Sequence, residues 1–360
     1  MKFAFNEEQE MLRDMVRGAL QREVGIDLVR RWSDAGDSSP FDQFLSKNGW
    51  IGIGLAEESG GQGGGLIEQT ILFEEIGRCA APSGTLLSGL AAVLAFAARA
   101  PGALDLLKPL IDGQGSAALV VPAGRAADRA THLVRQSDGK LSGTVPLVLN
   151  APGATLLLVP VADDAGVGLW LVEARSQGVA VVPRRLIDRT RQFGDVSLHD
   201  APATCIGHLS QTDMIEVNAR MAVLLAAESL GLARRMLGMT VEYVGQRVQF
   251  GVPVGSFQAV KHAAAEALVD IEAAHAGVYY AAWALQEGEA DALMHAWIAK
   301  AFATEAAVRT ADRALQLHGA IGYTWEYDLQ LFYKRAKLNL ELFGSPRSYR
   351  ERIANALSLH

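Results

Sequence analysis

Residues Tyr243 to His262 read YVGQRVQFGVPVGSFQAVKH, and the organisation of the chain turns on this stretch. The pattern before it predicts one long helix from Thr212 to Gln246, and a second helix is expected to start at the N-cap candidate Ser256. Between them lies a Gly/Pro-rich turn. Arg247, near the end of the first helix, offers a fork of donors suited to phosphate oxygens, and Gln249 and Gln258 add neutral hydrogen-bonding groups. The same residues also fit a plain helix C-terminus with a favourable cation, followed by a loop.

Downstream the texture stays helical. Val260, Ala264, Leu268, Ile271, Val278 and Leu285 form a stripe at helical spacing. A third helix is expected from Glu289 to His318, with Gly319 as a left-handed cap, and a fourth after Tyr327. Long, alanine-rich helices of this kind predict a four-helix bundle packed on itself or on a sister subunit.

Upstream, from about Ser116 to His208, short Val- and Leu-rich runs alternate with turn signals such as Ser137-Asp138-Gly139-Lys140 and Asp163-Asp164-Ala165-Gly166. Seven runs are expected as strands: Ala117–Val121, Thr131–Arg135, Leu141–Val145, Thr155–Val161, Val167–Glu173, Val179–Val182 and Asp195–Leu198. They predict an antiparallel barrel or sandwich. Before them the pattern is helical again: Phe5, Met11, Val16 and Leu20 recur near the helical period, as do Ile71, Phe73 and Ile76. The glycine-dense LAEESGGQGGG from Leu55 to Gly65 lacks the preceding strand and following lysine of a phosphate loop. The fold class is α+β multidomain, with an N-terminal all-α domain (1–111), a middle β domain (112–209) and a C-terminal helical bundle (210–360).

The bulk properties narrow the function. A net charge of −7 argues against a nucleic-acid binder but leaves room for a local basic site on a phosphate-bearing small molecule. No apolar run reaches the roughly 18 residues of a membrane helix, Leu86 to Ala98 coming nearest, so no membrane insertion is expected. Cys79 and Cys205 stand far apart without metal spacing, as isolated reduced thiols of a cytoplasmic protein do, and the charged N-terminus does not read as a signal or transit peptide.

The pattern Arg-x-Gln-Phe-Gly-x-Pro, then Phe-Gln-x-x-Lys-His, resembles the signature between the first two C-terminal helices of acyl-CoA dehydrogenases. Glu57-Glu58-Ser59-Gly60-Gly61-Gln62-Gly63 and Glu74-Glu75-Ile76-Gly77 resemble that family's first domain. Gln316-Leu317-His318-Gly319-Ala320-Ile321-Gly322-Tyr323 is similar to its second FAD-contact motif, with Ala320 where glycine is usual. The resemblance implies FAD as cofactor, an acyl-CoA substrate and electron-transferring flavoprotein as acceptor. It implies cofactor contacts from Arg247, Gln249, Phe250, Gln258, Gln316, Gly319, Ala320, Ser345 and Arg347, partly toward a partner's FAD across a subunit interface.

The resemblance fails where the chemistry is done. Removal of the α-proton of a thioester calls for a positioned carboxylate. The two places where the family carries its base hold Phe343 and Met221, so no catalytic residue is assigned. Glu341 reads as a surface acid, and Glu216 and Glu228 as exposed or salt-bridged. The strand segment that lines the flavin ring in the family is ALVVPAGRAAD from Ala118 to Asp128, without its Thr-Glu-Pro or Gly-Ser-Asp. The usual Lys-x-Trp-Ile strand appears as Val145-Pro146-Leu147-Val148, with Trp170 expected in the core of a later strand. The tail Leu342 to Arg350 resembles the paired subunits of steroid-side-chain acyl-CoA dehydrogenases, which form α2β2 heterotetramers. The expectation is a degenerate subunit that completes the FAD site of a base-bearing companion. The alternatives are a self-sufficient homotetramer with a relocated base, a flavin-free CoA-ester-binding or structural pseudoenzyme, and an oxidase on the same fold.

Overall fold

The computed structural model describes residues 4–82, 109–129, 131–164 and 166–358. Four helices open the chain: α1 (Glu7–Glu23), α2 (Ile26–Ala35), α3 (Ser39–Lys47) and α4 (Leu66–Gly77). Asn6 and Gln9 close a reciprocal capping box at the start of α1. Its buried face is Val16, Ala19 and Leu20, whereas Met11, expected on that face, is exposed. The glycine-dense loop is pinned by Gly54 to Gly63, Gln62 to Gly52 and Gly63 to Leu55 backbone bonds rather than left as loose turns. The apolar run at 86–98 lies outside the described residues.

Two four-stranded sheets follow. One has the order β1 (Ala117–Leu119), β4 (Leu156–Asp163), β5 (Gly166–Glu173), β8 (Thr204–Leu209). The other has the order β2 (Val134–Ser137), β3 (Lys140–Leu149), β7 (Phe193–Pro202), β6 (Val179–Arg184). Both contribute to a shared apolar layer that includes Val120, Val145, Val159 and Val196. Three expectations need correction. β1 pairs with β4 in parallel, so the sheets are not wholly antiparallel. β8 is an eighth strand that polar Cys205 and His208 conceal, and β2 starts at Val134 rather than Thr131.

The C-terminal bundle comprises α5 (Gln211–Gln246), α6 (Gln258–Glu287), α7 (Ala292–His318) and α8 (Leu329–Glu341), followed by α9 (Pro346–Ala356). The N-cap of α6 is Phe257, not Ser256, whose hydroxyl instead donates to the Pro253 carbonyl. The third helix begins at Ala292 rather than Glu289, because Gly288 ends α6 with φ 72°. Alanines at the α5–α7 contact let these helices pack closely, and the predicted α6 stripe is buried at Ile271, Val278 and Leu285. Leu268 is exposed beside Val269, so the first half of α6 presents apolar surface to solvent. No described helix is long and apolar enough to cross a membrane.

Candidate functional site

The sequence-predicted residues fall into two groups. The first sits where α5 meets α6. Strands β9 (Val248–Gln249) and β10 (Val252–Pro253) form a hairpin whose two-residue turn is Phe250-Gly251, at φ 51° and 78°. Two positive φ values are what a tight primed hairpin turn requires, and at phenylalanine the left-handed region costs on the order of 1–2 kcal/mol. The phenyl ring is nevertheless 91% exposed, with only Phe257 edge-on at 6.3 Å. Arg247 caps α5 through its amide, which donates to the Tyr243 carbonyl at 2.8 Å. Its exposed guanidinium has no carboxylate partner among the described residues.

The end of α7 is held against the last turn of α5. Tyr243 stacks on His318 with ring centres 4.6 Å apart. His318 in turn meets the Ala314 carbonyl at 2.8 Å and the Tyr327 hydroxyl at 3.1 Å, and burial lowers its pKa. The stack therefore brings Gln316, Gly319 and Ala320 to the same end of the bundle as Arg247, Gln249, Phe250 and Gln258. All seven are exposed. An unpaired guanidinium with neighbouring amide side chains can take phosphate oxygens and a hydrogen-bonding base.

Ser345 and Arg347 lie elsewhere. Lys300 of α7 donates to the Asn339, Leu340 and Gly344 carbonyls, each at 3.1 Å, and so fixes the start of α9 beside its own turn. Burial pushes this ammonium down to about 7, while three carbonyls receive its three donors. Gln316 stands sixteen residues further along α7, about 24 Å at the helical rise. Ser345 lines a cavity of about 380 Å³ with Arg125, Arg129, Ser348 and Arg352. Arg347 points to solvent and pairs with Glu351 at 3.1 Å.

The two base positions are both apolar and buried. Met221 is packed inside α5. Phe343, at φ 56°, donates its amide to the Ala123 carbonyl at 2.7 Å, and Ala123 donates to the Leu147 carbonyl at 3.0 Å. Leu147 sits at φ 50° in a register slip of β3, where the tryptophan strand was sought. Further stitches close the seam. Tyr349 donates to the Phe343 carbonyl at 2.8 Å, and burial raises its phenol pKa. Asn218 donates to the Tyr349 hydroxyl at 3.0 Å and accepts from the Ala127 amide at 2.9 Å. Arg352 grips both oxygens of Asp128. Sequence reasoning missed Asn218, Tyr349 and Lys300; a lone lysine in an alanine-rich helix was the one signal available.

The three glutamates that the sequence offered near the two base positions are committed to arginines or exposed. Glu228 is fully buried between Arg191 and Arg335, with Asn339 donating at 3.0 Å. Burial by itself would raise its carboxyl pKa, but the two guanidinium charges outweigh it and hold the group below the ordinary glutamate range. A carboxylate so committed is a poor proton acceptor. Glu216 pairs with Arg220 at 3.1 Å, and Glu341 is exposed. Trp170, expected in the core, is only half-buried and packs against the apolar layer shared by the two sheets.

A family model described as acyl-CoA dehydrogenase, C-terminal domain, matches residues 215–358, and one described as acyl-CoA dehydrogenase, N-terminal domain, matches residues 6–100. The Mycobacterium tuberculosis protein named acyl-CoA dehydrogenase IpdE2 is 32% identical over 352 residues, covering 96% of each chain. The chain belongs to the acyl-CoA dehydrogenase family. Among solved structures, the Tcur3481-Tcur3483 steroid ACAD G363A variant is similar at a TM-score of 0.88 and 29% identity, covering 98% of each chain. The ChsE4-ChsE5 complex from Mycobacterium tuberculosis shares the fold at a TM-score of 0.88 and 24% identity, covering 100% of both chains. Within an acyl-CoA dehydrogenase fold, then, this chain bonds segments 145–148 and 343–345 each to Ala123 of segment 117–128.

Proposed function

We propose that this chain is the companion subunit of a heteromeric, FAD-dependent acyl-CoA dehydrogenase. It supplies part of the FAD phosphate and adenine site to a homologous, base-bearing subunit in an α2β2 assembly. The observation that carries this reading is the contrast between the two ends of the molecule. At the Arg247 end a cation without a carboxylate partner among the described residues, exposed Gln249, Gln258 and Gln316, and the outward Phe250 can meet a cofactor held by another chain. At Phe343 the segments that should face a flavin ring are bonded to each other instead.

The residues present therefore fit the phosphate and adenine end of FAD and do not fit its ring. Arg247 would hold pyrophosphate oxygens, Gln249 and Gln258 would add hydrogen bonds, and Phe250 would pack against the cofactor. Gln316, Gly319 and Ala320 would border its adenine portion. Ser345 belongs to the separate cavity beside α9, and Arg347 points to solvent beside Glu351. When bound, FAD supplies the hydride acceptor; proton abstraction falls to the companion. The exposed Val248 and Val252 on the hairpin, and Leu268 and Val269 further along α6, suit an interface.

Two relatives support the paired arrangement, since their structures are described by two-protein names, Tcur3481-Tcur3483 and ChsE4-ChsE5. An acyl-CoA thioester as substrate, electron-transferring flavoprotein as acceptor, a cytoplasmic location and the divisions 1–111, 112–209 and 210–360 complete the proposal. Co-expression with a neighbouring dehydrogenase-like gene tests it. Thioester oxidation should appear only with both chains. Full activity of the lone chain would establish a relocated base instead, and a pair that forms without flavin would favour a pseudoenzyme.

A further inference from the structure

Away from both ends, strands β4, β5 and β8 bring Asp163, Cys205 and His208 together. Cys205 and His208 are three residues apart, so in a regular strand they would face opposite sides of the sheet. The β5–β8 register slips: Gly207 lies opposite Leu169 but Cys205 opposite Trp170, leaving Ile206 as the extra residue of a bulge. The bulge returns both side chains to one face, with Cys205 Sγ 3.9 Å from His208 Nδ1. The other ring nitrogen, Nε2, is 3.1 Å from Asp163 Oδ2. The thiol also reaches the Gly207 carbonyl at 3.6 Å.

Gly168, opposite His208, keeps the space open. A Cβ there would stand 2.8 Å from Trp170 Nε1, 3.4 Å from Asp163 Oδ2 and 3.5 Å from His208 Nε2. His208 and Asp163 are solvent-accessible and Cys205 is half-buried, so a small reagent can reach the sulfur. Cys79 has no such setting: burial pushes its thiol up to about 12.

We infer that Cys205 is a thiol-exchange site for low-molecular-weight disulfides. Asp163 orients the imidazole, His208 Nδ1 takes the thiol proton, and the thiolate attacks one sulfur of the disulfide. A bond forms between Cys205 and that sulfur as the reagent's own sulfur–sulfur bond breaks. The departing half leaves as a thiolate and takes its proton from His208. Cys205 is oxidised as the leaving half is reduced, and no other oxidant is required.

The test treats the full-length chain with the aromatic disulfide dithiobis(nitrobenzoate) and follows each cysteine by peptide mass spectrometry. Near neutral pH, Cys205 should react about fivefold faster in the folded chain than in urea-unfolded chain, and Cys79 far more slowly. Asp163→Asn and His208→Gln should each remove that advantage, yet match the unsubstituted chain at alkaline pH, where thiols ionise unaided. A Cys205 rate no faster folded than unfolded, or one indifferent to both substitutions, overturns the inference. Should His208→Gln not fold, Asp163→Asn on the exposed β4 end carries the comparison alone.

Discussion

The Phe343 amide and the Ala123 carbonyl are joined by a 2.7 Å hydrogen bond that ties the C-terminal bundle to the loop after β1. The residue at one of the family's two base positions thus contacts the segment that should line the flavin ring. Phe343 is held there by its own backbone, by Tyr349 and, through Gly344, by Lys300.

That geometry makes Phe343 structural. Phe343→Ala should lower unfolding stability by about 3–5 kcal/mol, the range for a deleted buried aromatic ring. A urea midpoint shift with unchanged slope checks it. Phe343→Glu should yield no oxidation by the lone chain, because a glutamate there gains no ring site beside it.

Arg247 should matter to the assembly and not to folding. Arg247→Ala in the co-expressed pair should weaken flavin retention about tenfold, with Arg247→Lys intermediate because an ammonium lacks the planar fork. Flavin released per mole of complex after dialysis checks this. Unchanged occupancy in Arg247→Ala counts against the phosphate role.

Glu228 should set part of the acid limb of stability. Its pKa is lower folded than unfolded, so its contribution is complete above the ordinary glutamate range and is lost as pH falls through the depressed value. Glu228→Gln should flatten stability against pH on that acid side, read from urea midpoints. Arg335→Ala should cost about 3–5 kcal/mol near neutrality, since it leaves Glu228 and Asp188 buried with one fewer cation.

Much of this was legible in the sequence because it is local. The Tyr243–His262 stretch announced two helices and a turn, and Phe250-Gly251 is that turn in detail. Gly319 ends α7 as expected, but at φ 65° and ψ −143° rather than in the left-handed helical region. What was not legible depends on distant contacts. Ser256 has N-cap chemistry, yet the tight turn at Val254–Ser256 consumes it and moves the helix start to Gln258. Strand β8 hides because its bulge breaks the alternation that marks a strand. The absence of a base could be read at Phe343 and Met221, but the seam closed by Asn218 and Tyr349 joins residues more than a hundred positions apart.

Flavin stoichiometry in the purified heteromer tests the central claim most directly. Acid-released FAD measured against both chains should give one flavin per pair of unlike subunits, with none retained by this chain alone. One flavin for every chain, or stoichiometric FAD on the isolated chain, would contradict it.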